Sequence, residues 1–467
     1  MSTKAVNKKT SFIPKAPALS WWALLLLWAV FAMNAIDREM MFRVMPAIVE
    51  EYNIGADTVG TVTALIMFST GILAAVGMSW SDRGGKGWAR KYRHLPIVVA
   101  YTLFSILTGV GFLTAGIMGF MILQVLKNAA GGLGEGIEVT SVAEWWPKEA
   151  RGFALGAHHA GYPWGALIGG LIITAILSVT GDDWRMVFLL IPLLMIPIFT
   201  AYWMFARPSR FKKYQEKALE MGLTPTIDEG EANEVNRKGA VIDSLKNPNI
   251  LVGAICCCLG IAVFTGINFW LAPYLTFVAD FTITEAAGWS VIFTITGGIG
   301  QIFWGTLSDK IGRKITLLIC FAWLAVSFWL FQFVASGLTA LILIQLFAGC
   351  ATNAIFPVLY SLVTDSAKKG YIGTANGIAL TGLYTGGLSP FVLGLLIQAG
   401  GGWNSSSGYM SGLYFMIACM ILAFFLILFF TRETVGAKRG RDFSLVSKES
   451  CNIYDNTVQN DKSSISV

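Results

Sequence analysis

Twelve apolar runs of about 18 or more residues, each long enough to cross a hydrocarbon core of ~30 Å, dominate this chain. They lie near residues 20–37, 59–80, 95–114, 118–143, 153–180, 187–206, 249–276, 287–307, 315–334, 338–363, 372–399 and 409–430. Backbone groups in lipid find no water to bond, so runs of this kind must be helices. Only 13% of residues are charged, against about a quarter in a soluble domain, and the mean hydropathy is +0.63. The expected fold is an all-α polytopic membrane protein of twelve transmembrane helices. The polar stretch before Trp21-Trp22 has no cleavage signal, so no cleaved leader is expected.

A repeat divides the runs into two sets of six. Ser308-Asp309-Lys310 repeats Ser81-Asp82-Arg83 at an offset of 227, and the same offset carries Pro46 onto Pro273 and Gly71 onto Gly298. Both copies sit where an apolar run meets a basic cluster. A duplicated membrane unit reads as a transporter built from two halves. The expected organisation is a tail (1–19), a first six-helix half (20–206), a linker (207–247), a second half (248–431) and a disordered tail (432–467). The linker is polar and near charge-balanced; the tail beyond 436 is rich in Ser, Asn and Lys.

Charge orients the bundle. All but four of the 34 Lys and Arg residues fall on segments that share one side; the exceptions are Arg38, Arg43, Lys127 and Arg185. Positive residues favour the cytoplasm, so both termini are expected inside, in a plasma membrane and most simply a bacterial inner membrane. Arg43 and Arg185 are read as anchors on the opposite surface. The net charge of +6 is then a topology signal, and the scattered clusters form no single nucleic-acid-binding face. Cys256, Cys257, Cys258, Cys320 and Cys419 lie inside apolar runs without metal or disulfide spacing and read as small core residues. No metal or cofactor is expected.

The segment GTLSDKIGRK, Gly305 to Lys314, resembles the signature loop of the major facilitator superfamily between the second and third helices of each half. The first copy, GMSWSDRGGKGWARKY, differs by an insertion before Arg90-Lys91. The resemblance spans roughly residues 20–432 and implies the major facilitator fold. It also implies that Asp82, Arg83, Asp309 and Arg313 form a latch for the outward-facing state. Further motifs resemble the anion:cation symporter branch. They are Asn34-Ala35-Ile36-Asp37-Arg38, Gly132-Leu133-Gly134-Glu135-Gly136, Trp145-Trp146-Pro147 with Arg151-Gly152, Trp184-Arg185, and Trp270-Leu271-Ala272-Pro273-Tyr274-Leu275. The resemblance implies carriage of organic anions such as sugar acids, aromatic acids and phosphorylated metabolites, commonly with protons, and it makes Asp37 and Glu135 the proton-coupling carboxylates.

Ionisable groups at membrane depth are costly and mark function. Here they gather in the first half: Asp37, Arg38 and Glu39, then Lys127, Glu135 and Glu138. The second-half runs hold none, only neutral polar residues such as Asn268, Gln301, Gln345, Asn353, Asn376 and Tyr384. Charge recognition and coupling are therefore expected in the first half and pocket shaping in the second. Lys127 shares a helical stripe with Gly131, Gly134 and Glu138. It reads as the ligand for a substrate carboxylate or phosphate, or else as a lysine neutralised by an internal carboxylate. Arg38 and the neutral Asn268 and Asn376 join it as candidate substrate ligands. Glu138 competes with Glu135 for the coupling role. His158 could titrate beside them, or it could simply pack. Trp270 and Tyr274, four apart on one helix face, offer rings to a sugar or aryl group.

No phosphate-cradling loop, zinc motif or nucleophile triad is legible, so neither an enzyme nor an ATP-driven pump is expected. The expected function is proton-coupled symport of a small organic anion by a monomer whose partners are the solute, protons and lipid. A proton-driven exporter of drugs or amphiphiles and a transporter-like metabolite sensor are the alternatives.

Overall fold

The computed structural model describes residues 14–81, 87–147, 150–225, 240–368 and 372–435, and among them there is no strand. Twelve helical rods run back and forth. In the first half they are α1 (Ala18–Arg43), α2 (Ala56–Ser81), α3 (Lys91–Gly109), α4 (Ile117–Glu144), α5 (Arg151–His159 continued by Gly161–Thr180) and α6 (Trp184–Phe205). The second half holds α7 (Pro248–Phe277), α8 (Ile283–Trp289 and Ile292–Ile311), α9 (Arg313–Leu330), α10 (Leu338–Thr352 and Ile355–Ser366), α11 (Ile372–Gly386 and Ser389–Ala399) and α12 (Ser406–Phe430). Among the described residues, ten helices are long and apolar enough to cross a membrane; α2 and α3 complete the set. Large apolar side chains such as Leu103, Val179, Leu343 and Phe425 stand exposed on the outside, where a soluble protein would aggregate and a membrane protein meets lipid.

Turn chemistry sets the rod ends. Asp183 caps α6 by accepting from the Arg185 N–H at 2.9 Å, and Gly181 just before it takes the left-handed conformation that ends α5. Thr282 and Glu285 form a reciprocal capping box at the start of α8. The linker supplies helix Pro208–Glu220, which buries Phe211 and Tyr214 against Trp145 at 4.9 and 5.8 Å between ring centroids. Residues 226–239 of the expected linker and 436–467 of the expected tail lie outside the described residues. Residues 432–435 of that tail are docked, as described below.

The packing repeats with the sequence. In the first half α1 packs on α5 and α6, α2 on α4, and α3 on α4 and α6; in the second, α7 packs on α11 and α12, α8 on α10, and α9 on α10 and α12. Each pairing maps onto its counterpart by adding six to both numbers. The seams between the halves obey the same rule, α2 against α11 and α5 against α8. Glycine makes the seams close: a Cβ on Gly60 would collide with the Pro390 carbonyl, one on Gly394 with that of Ala56, and one on Gly170 with Val291. Such small-residue contacts let helix backbones touch where lipid offers no hydrophobic drive.

The halves meet most tightly at the end away from the termini, here called the far end. There the Ala56 N–H donates to Gln398 Oε1 at 3.1 Å, and Trp403 Nε1 donates to the Ile54 carbonyl at 2.9 Å. Arg43 Nη1 donates to the Ser290 carbonyl and hydroxyl at 2.9 and 2.8 Å.

At the terminal end a carboxylate seats each copy of the repeated loop, from α4 in the first and from beyond α12 in the second. In the first, Glu144 of α4 accepts from the Gly87 N–H at 2.6 Å and from Arg90 at 2.6 and 2.7 Å, while Lys91 donates to the carbonyl of Ala206 at 2.6 Å. In the second, Glu433 accepts from the Arg313 and Lys314 N–H groups at 2.8 and 3.1 Å, and Lys314 donates to the carbonyl of Thr431 at 2.8 Å. The basic pairs thus correspond at an offset of 223, four less than the serine–aspartate part, and the insertion before Arg90 accounts for the difference. Gly87 and Gly312 both have positive φ, +57° and +109°. Alanine at Gly312 would meet a backbone penalty of about 1–3 kcal/mol and push into the Glu433 carboxylate. Gly312→Ala is expected to lower the melting temperature in detergent. Gly305→Ala is the control, because its added methyl meets open space. Equal melting of the two variants would show that the Glu433 contact adds nothing.

Candidate functional site

One turn of α1 distributes three charges to three neighbours, because successive helix residues point about 100° apart. Asp37 accepts from Lys127 Nζ of α4 at 3.0 Å; the two side chains are 4% and 0% exposed. Arg38 Nη2 donates to Glu135 Oε2 of α4 at 2.6 Å. Glu39 accepts from Arg43 at 2.5 Å with both groups buried. Of these three pairs, the one between Arg38 and Glu135 is reachable, at 18% and 21% side-chain exposure. Gly131, one turn from Glu135, opens onto free space. The phenols of Tyr162 on α5 and Tyr384 on α11 lie within electrostatic reach of Arg38. Tyr162 also packs on Phe264 of α7, 5.9 Å between ring centroids. A cation, its carboxylate and two phenols, drawn from α1, α4, α5 and α11, therefore border the space between the halves.

Glu138 faces the other way, into the first half. Its Oε1 accepts from Asn34 Nδ2 at 2.6 Å and lies 3.3 Å from His94 Nε2 of α3. His158 Nε2 lies 3.9 Å from Glu138 Oε2. Glu138 and His158 are fully buried and His94 is 2% exposed. His159, next in sequence, is exposed and uses Nδ1 on the Leu155 carbonyl at 2.8 Å.

The remaining sequence candidates take other places. Lys127, expected to line the pocket, has its ammonium on Asp37 and 4.9 Å from the Phe188 ring centroid. A bare cation in that apolar setting needs the carboxylate. Trp270 and Tyr274 stack on each other at 4.3 Å, and Trp270 Nε1 donates to the Tyr409 carbonyl at 2.9 Å. They fill the α7–α12 contact instead of presenting open faces. Asn268 Oδ1 accepts from Arg43 at 3.1 Å across the halves. Asn376 Oδ1 accepts from Thr364 of α10 at 3.1 Å. Arg43 is no surface anchor: it is fully buried and ties α1 to α7 and α8. Arg185 does sit at the far surface, bonded to Glu51 at 2.5 Å; this hydrogen bond holds the Glu51 carboxyl below its usual range. Asp82 and Arg83 lie outside the described residues. Asp309 is 62% exposed and pairs with Arg313 at 2.5 Å within its own half. Arg313 also reaches Asp365 of α10 at 3.3 Å.

His94, Glu144 and Glu433 escaped the sequence reading. His94 follows Arg90, Lys91 and Arg93, a cluster read as topology anchors; its helix-three position, one turn beyond Arg90, is the signal that separates it.

The family model described as the Major Facilitator Superfamily matches residues 27–291 and 275–449. The chain belongs to the major facilitator superfamily. Among curated relatives, it is 26% identical over 386 residues to a probable sulfoacetate transporter, SauU, of Cupriavidus necator, covering 79% of this chain and 85% of that protein. It is 23% identical over 385 residues to the mouse glucose-6-phosphate exchanger SLC37A2, covering 74% and 76%. Two solved structures share the fold. A bacterial homologue of the human lysosomal transporter Spinster, inward-facing and unoccupied, has a TM-score of 0.67 at 16% identity, covering 88% of this chain and 97% of that one. The inward-open xylose transporter XylE of E. coli has a TM-score of 0.67 at 14% identity, covering 90% and 98%. The matched family and these relatives are transporters rather than enzymes.

Proposed function

We propose that this chain is a proton-coupled symporter of a small, strongly acidic organic anion, working as a monomer by alternating access in a plasma membrane, most simply a bacterial inner membrane. Its termini are cytoplasmic, as the basic segments favour. The carrying observation is the accessible pair of Arg38 and Glu135, set beside the sealed pair of Lys127 and Asp37. A guanidinium offers two parallel donors to a carboxylate, sulfonate or phosphate. The relatives named for sulfoacetate and glucose 6-phosphate carry solutes with such groups.

In this mechanism Glu135 and the anion compete for Arg38. A proton on Glu135 frees the guanidinium, the anion takes it, and the loaded site gains one negative and one positive charge together. Tyr162 and Tyr384 offer hydroxyls from both halves, so a bound anion draws the halves onto itself. Asp37 with Lys127 holds α1 against α4. With the termini inside, the closed far end is the external side, and this conformation faces inward. Asp309 and Arg313 then bond within their own half, as a latch does when released; Asp82 is the first-half counterpart of Asp309, with Arg83 beside it.

Binding and protonation that share one residue must be linked by the same factor in both directions. Anion affinity of the wild type is therefore expected to rise as pH falls. Glu135→Gln should bind at high pH as tightly as wild type does at low pH, and should lose its pH dependence. It should also lose gradient-driven accumulation in vesicles while keeping anion exchange. Arg38→Ala should abolish binding, with partial recovery in Arg38→Lys. Unaltered anion affinity in Arg38→Ala would end this reading. An exporter of amphiphiles would need no accessible arginine, and a sensor would bind without flux.

A further inference from the structure

The cluster around Glu138 is not used by the Arg38 site, yet its titratable side chains are almost wholly buried, Glu138 and His158 at 0% and His94 at 2% exposure. Both donors that reach Glu138, the Asn34 amide and His94 Nε2, converge on Oε1; Oε2 has no partner. That is the pattern of a neutral carboxylic acid, whose carbonyl oxygen accepts and whose hydroxyl oxygen carries a proton. An ionised carboxylate would leave a buried charge met by one amide and a 3.3 Å imidazole contact, longer than the 2.7–2.9 Å of a charged pair. The unpartnered Oε2 faces His158 Nε2, also unpartnered, across 3.9 Å. His158 Nδ1 makes no well-formed hydrogen bond either, with the Leu27 backbone of α1 beside the ring, and the ring lies 5.5 Å from that of His159, which is exposed. The rod of α5 breaks at Ala160, directly after these two histidines.

We propose that Glu138 is a second proton-binding site, loaded and emptied through His158. It rests on the coupled-transport reading above. When α5 bends at its break and the gap shortens by about 1 Å to hydrogen-bond range, the Glu138 O–H bond breaks and a bond to His158 Nε2 forms. The resulting imidazolium releases its Nδ1 proton toward His159 and the space between the halves, and the reverse order reloads the acid. The groups facing the cluster are Asp37 (paired with Lys127) on α1, His94 and Tyr101 on α3, Glu135 (paired with Arg38) on α4, and Tyr202 on α6. The one charged residue of α2 is Asp57, in its first turn at the far end.

Infrared spectroscopy of the full chain in lipid, without substrate, tests this directly. At neutral pH the wild type should show the carbonyl band of a buried carboxylic acid, absent in Glu138→Gln and retained in Glu135→Gln. Transfer to D2O shifts such a band, and in His158→Asn the shift should be slower by a large factor. That variant keeps Glu138 and carries the test if Glu138→Gln fails to fold. A full-strength band in Glu138→Gln, no band in wild type, or wild-type exchange in His158→Asn would overturn the proposal. Anion binding measured on the same samples reports on Arg38 separately, so the two readings can fail independently.

Discussion

Replacing Arg43 by alanine is expected to open the far end of the bundle. Its guanidinium joins Glu39 on its own helix to the Ser290 carbonyl and hydroxyl and to Asn268, and Glu39 is 1% exposed. Removing one partner of a buried pair typically costs about 3–5 kcal/mol, because the other charge is left uncompensated. The closed conformation bears that penalty, while an open one lets water reach Glu39. At about 1.4 kcal/mol per factor of ten, the equilibrium moves by about two to three and a half powers of ten toward the conformation open at the far end. A cysteine at Thr174, which packs against Gly288 across the α5–α8 seam, should then react readily with an impermeant maleimide added outside cells. Ser290→Ala, which removes one neutral acceptor, should shift labelling far less. Labelling in Arg43→Ala as slow as in the parent would mean that the seams alone hold this end shut.

The second large effect concerns Lys127 and Asp37. Lys127→Ala leaves the buried Asp37 carboxylate without its ammonium partner and should lower stability by about 3–5 kcal/mol. The double variant Asp37→Asn, Lys127→Met removes both charges at similar volume, and such replacements are often neutral or stabilising. It should melt near the wild-type temperature and still bind the anion through Arg38. A double variant that folds but no longer binds would return Lys127 to the substrate site.

Periodicity and the internal repeat made the architecture readable. Hydrophobic runs located the rods to within a few residues, for example 187–206 against Trp184–Phe205, and the offset of 227 foretold a packing map that repeats by six. The interruptions inside rods were less legible. Pro273 lies within an unbroken α7, whereas α10 breaks at Asn353, four residues before Pro357, whose ring excludes the bond back to that carbonyl. Helix neighbours can re-satisfy freed backbone groups, so local chemistry alone does not decide where a rod bends. The site was half legible for a similar reason. Sequence isolates the interior charges, but which pair is sealed depends on facing helices: Asp37 and Arg38 are adjacent, and only the second reaches open space. The arginine lock at the far end required Ser290 and Asn268, neutral residues more than two hundred positions away.

Pairing of the interior charges has an electrical consequence. Asp37 with Lys127, Arg38 with Glu135 and Glu39 with Arg43 each sum to zero, and the second-half runs carry no charge. One elementary charge crossing the whole membrane field is worth about 2.3 kcal/mol per 100 mV, but rocking three neutral pairs moves none. With Glu138 protonated, the empty carrier should thus reorient at the same rate at any membrane potential. Voltage acts on what is bound and on Glu138 once it has given up its proton: a monovalent anion with one proton on Glu135 travels silently, whereas a return step with Glu138 ionised carries one negative charge.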